Sequence, residues 1–131
     1  GHTVVVLEDN EEILNSMTRL LRSWGADIIS ATSFNASLVK KLALRPKIDL
    51  ILADQNLGNS TISGVEASFR IRELVGFPVP VVMLTAVQQL EVLGEFHRVM
   101  RDRLGKNPDQ AAAIARSRVE EPVVLQKPTT T

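Results

Sequence analysis

The stretch Ile48-Asp49-Leu50-Ile51-Leu52-Ala53-Asp54 decides how this chain folds, because an apolar run of strand length ends there on a carboxylate. Such a run predicts a strand that is buried on both faces, as in a parallel sheet. Asp54 is the first residue beyond the run, so we expect it at the carboxyl edge of the sheet. We interpret Asp54 as a group displayed for chemistry and not as a core residue.

Strand-like and helix-like segments alternate on both sides of this stretch. Further strands are predicted over residues 3–7, 27–31, 80–84 and 123–125. Apolar residues at helical spacing predict helices over 11–24, from a cap at Ser33 to about residue 42, and from a cap at Ser63 to about residue 75. Residues 88–119 are predicted as two helices, and Trp24 is assigned to the core. This alternation predicts a doubly wound α/β fold with a five-stranded parallel sheet.

Composition limits the classes of function. A chain of 131 residues fits one domain over 1–131, in which Gly1-His2 is typical of an expression-tag remnant. Fifteen basic and fifteen acidic residues cancel, so no overall field draws the chain to nucleic acid or to an anionic membrane. Without cysteine there are no disulfides or thiolate sites. The apolar runs are too short for a membrane span and no signal peptide opens the chain, so we expect a soluble domain. We expect it in the cytoplasm, with which the absence of cysteine is compatible.

Polar side chains follow four of the predicted strands, at the edge where a doubly wound sheet binds its ligands. They are Glu8, Asp9, Asp54, Thr85 and Lys127. Three converging carboxylates would repel one another unless a hard cation neutralises them, so the sequence predicts a Mg²⁺ site. A nearby lysine and hydroxyl would suit the oxygens of a transferring phosphoryl group.

These residues resemble the receiver domains of two-component response regulators. The resemblance rests on Glu8-Asp9 after an apolar strand, on Asp54, on Leu84-Thr85-Ala86 and on Lys127-Pro128, in that order. It covers nearly the whole chain and implies the flavodoxin-like receiver fold. It also implies signalling by phosphorylation, with slow self-dephosphorylation and no enzymatic turnover of a separate substrate.

The resemblance assigns a role to each site residue. Asp54 would be the phosphoacceptor, and its donor would be a histidine kinase or a phosphotransfer protein. Asp9, Asp54 and the backbone carbonyl of Asn56 would ligate Mg²⁺, with Glu8 acting mainly through a bound water. Lys127 would pair with one phosphoryl oxygen, and Thr85 would donate its hydroxyl to another.

The chain departs from the family pattern in three places. Val124 stands where most members carry an aromatic residue that turns inward when the threonine moves. The loop from Asp54 to Gly64 is longer than usual and has Gly58 where proline is common. Residues 88–119 are predicted to form an enlarged helical region, and we find nothing like the usual final helix after Pro128. The sheet face beside the first helix would then expose apolar side chains, to be covered by the inserted helix, by a second subunit in a homodimer, or by a further segment.

Two alternative functions remain open at this stage. A degenerate receiver would act only as a protein-interaction module, which Val124 favours and the complete site disfavours. An Mg²⁺-dependent phosphohydrolase would use Asp54 as a turnover nucleophile, but such enzymes commonly carry a second acid two residues later, where this chain has Asn56. The residues leading into Asp54 also resemble receivers of hybrid histidine kinases. The output partner is not indicated by the sequence.

Overall fold

The computed structural model describes residues 1–44, 47–58, 62–106 and 121–127, with the side chains of 104–106 excepted. Five strands lie in this part of the chain: β1 (Thr3–Leu7), β2 (Asp27–Ala31), β3 (Leu50–Ala53), β4 (Val81–Thr85) and β5 (Val123–Gln126). The helices described are α1 (Glu11–Ser23), α2 (Ala36–Ala43), α3 (Gly64–Val75) and α4 (Gln89–Lys106). The second helix predicted within 88–119 begins at Asn107-Pro108 and lies outside the described residues.

The sheet is parallel throughout and has the order β2-β1-β3-β4-β5. The strand order reverses at β1, which lies between β2 and β3, and ligands of doubly wound sheets bind beyond the strand ends at this switch point. The register pairs Leu7 of β1 with Ala53 of β3, so the residues that follow these two lie side by side. The flavodoxin-like fold that the sequence predicted is confirmed.

Alternate residues of the strands pack against different helices. One face of β1 and β3, with Val5, Leu7, Ile51 and Ala53, belongs to the main core, to which α2, α3 and α4 contribute. The opposite face packs in a smaller cluster against Leu14 of α1. Central strands that are covered on both sides hold their ends firmly, and the candidate site lies at those ends.

Strand β5 is exposed where the sequence predicted an apolar patch. Val124 packs against the main core, but its neighbours Val123 and Leu125 on the other face are 58% and 51% exposed. These two side chains lie on the same side of the sheet as α1, because Val123 pairs with Val82 and Leu125 with Leu84. The apolar face beside the first helix is therefore present in the described part of the chain.

The prediction that Trp24 packs in the core is wrong, since its side chain is 73% exposed. Helix α1 ends at Ser23, and Trp24 is its C-cap, followed by Gly25 in the left-handed region with φ 91°. Leu14 faces the sheet. Leu20, which is half exposed, and Trp24 form a second apolar strip on the neighbouring side of the helix. Spacing alone did not distinguish the buried strip from the exposed one.

Several element boundaries also differ from the prediction. Helix α2 is capped by Asn35 and not by Ser33, because the Asn35 side chain accepts a hydrogen bond from the Leu38 amide at 2.9 Å. Strand β3 begins at Leu50, after Asp49 has used its carboxylate to accept from the Thr3 amide at 2.8 Å. Within the described residues, no helix has the length and apolar character needed to cross a membrane.

Candidate functional site

The site is built at the carboxyl ends of β1 and β3. Glu8 and Asp9 follow β1, and Asp54 follows β3. Backbone hydrogen bonds extend the sheet past these ends: the Asp54 amide donates to the Leu7 carbonyl at 3.0 Å, and the Glu8 amide donates to the Ala31 carbonyl at 3.2 Å. The sheet therefore fixes the backbone positions of Glu8 and Asp54.

The three carboxylates converge as the sequence predicted. Oxygen atoms of Glu8, Asp9 and Asp54 lie within 4.8 Å of one another. Glu8 and Asp54 are buried, at 3% and 8% exposed, whereas Asp9 is open to solvent. Carboxylate oxygens are the ligands that hard divalent cations such as Mg²⁺ prefer, and one exposed ligand leaves a path for the ion and its waters. The donor set therefore fits the ion that the sequence implied.

Lys127 reaches this cluster from the end of β5. Its Nζ donates to Asp54 Oδ2 at 2.7 Å and to Glu8 Oε2 at 2.8 Å. Burial alone would lower the pKa of Lys127, but the hydrogen bonds to the two carboxylates outweigh burial and raise this pKa. The lysine is therefore a permanent cation that partly neutralises the acidic cluster.

Glu8 responds to burial in the opposite sense. Desolvation raises the pKa of the Glu8 carboxyl above its ordinary value, and the hydrogen bond from Lys127 only partly opposes this rise. Burial therefore disfavours the ionised form of Glu8 even with Lys127 beside it. A divalent ion bound to these oxygens would favour the ionised carboxylates.

Thr85 and Asn56 lie beside the cluster without bonding to it through their side chains. Thr85 ends β4 and is fully buried, and its hydroxyl oxygen accepts a hydrogen bond from the Val87 amide at 3.1 Å. The Asn56 amide donates to Asp54 Oδ1 at 3.2 Å, while the Asn56 side chain accepts from the Gly58 amide. In the described residues Thr85 and Asp54 share no hydrogen bond. The hydroxyl is engaged with the loop that follows β4.

Gly64 supports the site in a way that sequence reasoning missed. A Cβ at this position would lie 2.0 Å from the Asp54 carbonyl oxygen, so only glycine allows α3 to start this close to the acid. Gln55 holds the junction, since its carbonyl accepts from the Gly64 amide at 2.9 Å and its side chain accepts from the Val65 amide at 3.0 Å. Ser63 caps α3 as predicted. The sequence indicated that a loop ends at Gly64 but gave no signal of the contact with Asp54.

The family to which the chain belongs follows from comparison with known sequences. The family model described as the response regulator receiver domain matches residues 4–116. No curated protein matches the sequence. Because the family model spans most of the chain, the protein belongs to the response regulator receiver domain family.

Solved structures with this fold include several receivers at low sequence identity. A two-component response regulator from Clostridium difficile is 15% identical, covering 99% of this chain and 86% of its own, with a TM-score of 0.65. The chemotaxis protein CheY4 of Vibrio cholerae is 20% identical, with coverages of 98% and 88% and a TM-score of 0.62. A Burkholderia pseudomallei response regulator, solved with a phosphorylated aspartic acid, calcium ion and citrate, is 22% identical, with coverages of 95% and 78% and a TM-score of 0.59. At these identities the likeness establishes the fold.

Proposed function

We propose that this receiver accepts a phosphoryl group on Asp54 from the phosphohistidine of a histidine kinase or phosphotransfer protein. The observation that carries the proposal is the convergence of Glu8, Asp9 and Asp54 at one sheet edge, with Lys127 2.7 Å from the Asp54 carboxylate. We further propose that the exchange takes place in the cytoplasm, where such donors act.

The residues have separate roles in the proposed transfer. One carboxylate oxygen of Asp54 forms a bond to phosphorus while the P–N bond of the donor breaks, and the departing imidazole keeps the bonding electrons and takes up a proton. Lys127 stays beside the acid as a fixed positive charge for the phosphoryl oxygens. Water later attacks phosphorus, which releases inorganic phosphate and restores the carboxylate.

Mg²⁺ would be held by Asp9, Asp54 and the backbone carbonyl of Asn56, with Glu8 acting through a bound water. Bound there, the ion would offset the negative charge of the carboxylates and of the incoming phosphoryl oxygens. Support comes from the donor set itself, since oxygen atoms of Glu8, Asp9 and Asp54 lie within 4.8 Å of one another.

The proposal is tested by forming the adduct at Asp54. The protein is incubated with Mg²⁺ and acetyl phosphate, or with Mg²⁺ and beryllofluoride, and the modified residue is identified by intact mass and by NMR. We expect one adduct, no adduct when EDTA is present from the start, and none with Asp54→Asn. Asp27→Asn is the matched control, since Asp27 is an exposed aspartate at the start of β2. An unmodified wild-type protein under saturating conditions would overturn the proposal.

One observation favours a degenerate receiver as a second candidate. Val124 packs against the main core with a short apolar side chain, so the position lacks the ring that the family resemblance led us to expect. Under this candidate a partner would bind wild-type protein and Asp54→Asn with equal affinity, and beryllofluoride would not change that affinity. A difference between the two proteins in the presence of beryllofluoride would reject it.

A further inference from the structure

The backbone of Val87 is hydrogen-bonded through both its amide and its carbonyl. This residue lies in the loop between β4 and α4, called here the β4–α4 loop and comprising residues 86–88. Its amide donates to the Thr85 hydroxyl at 3.1 Å, and its carbonyl accepts from the Gln126 side-chain amide at 2.9 Å. The Gln126 contact joins residues far apart in sequence, so it is a tertiary link and not part of a local turn.

Both anchors come from strand ends that form the site. Thr85 is the last residue of β4 and is fully buried. Gln126 is the last residue of β5 and immediately precedes Lys127, whose Nζ contacts Asp54 and Glu8. The Lys127 amide also donates to the Thr85 carbonyl at 2.8 Å. A change at the acid that moves the Thr85 hydroxyl or Lys127 would therefore act on an anchor of Val87 or on its immediate neighbour.

Val124 stands at the position where most members of the family carry an aromatic side chain that turns inward when the threonine moves. Val124 has no polar atom and packs against the main core. Gln126, two residues later on the same strand, has a polar contact with the β4–α4 loop. From this geometry we propose that Gln126 is a positioning residue, which ties the β4–α4 loop to the end of β5 so that phosphorylation of Asp54 is transmitted to the start of α4. This inference rests on the proposed function.

The link acts through Val87 in two steps. When the Thr85 hydroxyl turns to a phosphoryl oxygen on Asp54, its hydrogen bond with the Val87 amide weakens. The carbonyl of the same residue stays hydrogen-bonded to Gln126, so the loop pivots about β5 instead of coming free. Helix α4 begins directly afterwards, where the Gln88 carbonyl accepts from the amides of Glu91 and Val92. The first turn of α4 therefore follows the loop.

The test compares how the β4–α4 loop responds to beryllofluoride in proteins with the same fraction of Asp54 modified. Backbone amide shifts are recorded with Mg²⁺, with and without beryllofluoride, for wild type, Gln126→Met and Gln89→Met. Methionine matches glutamine in length but cannot donate to the Val87 carbonyl, and Gln89 is an exposed glutamine at the start of α4. In Gln126→Met we expect the change in the Val87 amide chemical shift on adding beryllofluoride to be about two- to fivefold smaller than in wild type. The loss of one exposed hydrogen bond changes an equilibrium by about this factor. The Gln89→Met response should equal that of wild type.

The outcomes separate this inference from the function on which it rests. If Gln126→Met forms the adduct and its Val87 response equals that of wild type, the positioning role is overturned and the phosphoacceptor role stands. If wild type forms no adduct, both are overturned. Gln126→Glu has the same shape and no donor, so it must reproduce the Gln126→Met result; a normal response in Gln126→Glu would also overturn the role. Should Gln126→Met fail to fold, Gln126→Glu replaces it as the deciding variant.

Discussion

The site takes its parts from two kinds of strand. The carboxylates follow the central strands β1 and β3, in which Val5, Val6 and Ile51 are completely buried. The lysine follows β5, an edge strand with Val123 and Leu125 more than half exposed. One half of the site is thus fixed by packing on both faces of the sheet, and the other half is attached to a strand with far less support.

This difference indicates which half of the site can move. Local opening costs least where few apolar contacts are buried, so β5 should open more readily than β1 or β3. The acidic cluster then keeps its geometry, while the end of β5 that carries Lys127 and Gln126 is the less firmly held side of the site. A rigid acid cluster beside a less stable strand suits a protein whose chemistry must be constant and whose surface must change.

The strongest test of the rigid half is Leu7→Ala. Leu7 ends β1, is 1% exposed and belongs to the main core. Removing its side chain should lower the free energy of unfolding by about 2–5 kcal/mol, because buried contacts are lost and a cavity remains. Urea denaturation followed by circular dichroism measures the loss. A loss under about 1 kcal/mol would mean that β1 is not more firmly held than the edge strand.

Gly64→Ala tests how closely α3 must approach the acid. The new Cβ would lie 2.0 Å from the Asp54 carbonyl oxygen and 2.8 Å from the end of the Met83 side chain, so the helix start has to shift. We expect a loss of about 1–3 kcal/mol in the free energy of unfolding, together with slower adduct formation at Asp54.

Gly94→Ala is the matched control for this change. Gly94 lies inside α4, and a Cβ there would meet no atom within 4 Å. The same substitution should therefore stabilise the protein, by about 0.5–1 kcal/mol, because alanine is the better helix former. Equal effects of the two substitutions would show that the contact between Gly64 and Asp54 does not limit the structure.

How far the sequence could predict this molecule also differs between its parts. Apolar runs ending on Glu8, Asp9 and Asp54 predicted the strands and the convergence of the acids, because parallel strands place such ends at one edge. Contacts between distant segments left no pattern in the sequence. The link from Gln126 to Val87 is of this kind, and so is the Gly64 contact with Asp54.

Trp24 illustrates a different limit of sequence reasoning. Helix α1 carries two adjacent apolar strips, and periodicity cannot tell which of them faces the sheet. The assignment depends on how the helix is rotated against β1, which tertiary packing decides. Residues at a helix end, such as this C-cap, are the least constrained by that packing.

Lys127→Met removes the cation from the less supported half of the site. In EDTA at pH 7.5 we expect a loss of about 1–2 kcal/mol in the free energy of unfolding, because the carboxylates of Glu8 and Asp54 lose their charged donor. Added Mg²⁺ should recover part of this loss by binding the same oxygens. Urea denaturation with EDTA and with Mg²⁺ measures both effects.

The loss in Lys127→Met should depend on pH through Glu8. The pKa of Glu8 is raised in the folded protein, so the folded state holds the proton more tightly than the unfolded state. Its stabilising contribution is complete below the ordinary glutamate value of 4.5 and is lost as the pH rises through the raised pKa. Without the lysine this pKa rises further, so the difference from wild type should shrink as the pH approaches 4.5. A difference that stays constant between pH 4.5 and 7.5 would contradict this account.

Leu125→Ala should have the smallest effect and completes the comparison with Leu7→Ala. Both substitutions remove the same atoms from a strand, but Leu125 is 51% exposed and lies on the face beside α1. The free energy of unfolding should change by no more than about 0.5 kcal/mol, because most of the side chain already contacts water. The measurement is repeated across a hundredfold range of protein concentration. A larger loss that appears only at high concentration would mean that a second copy covers β5, in which case the exposed strand would be an interface and its freedom to move would depend on assembly.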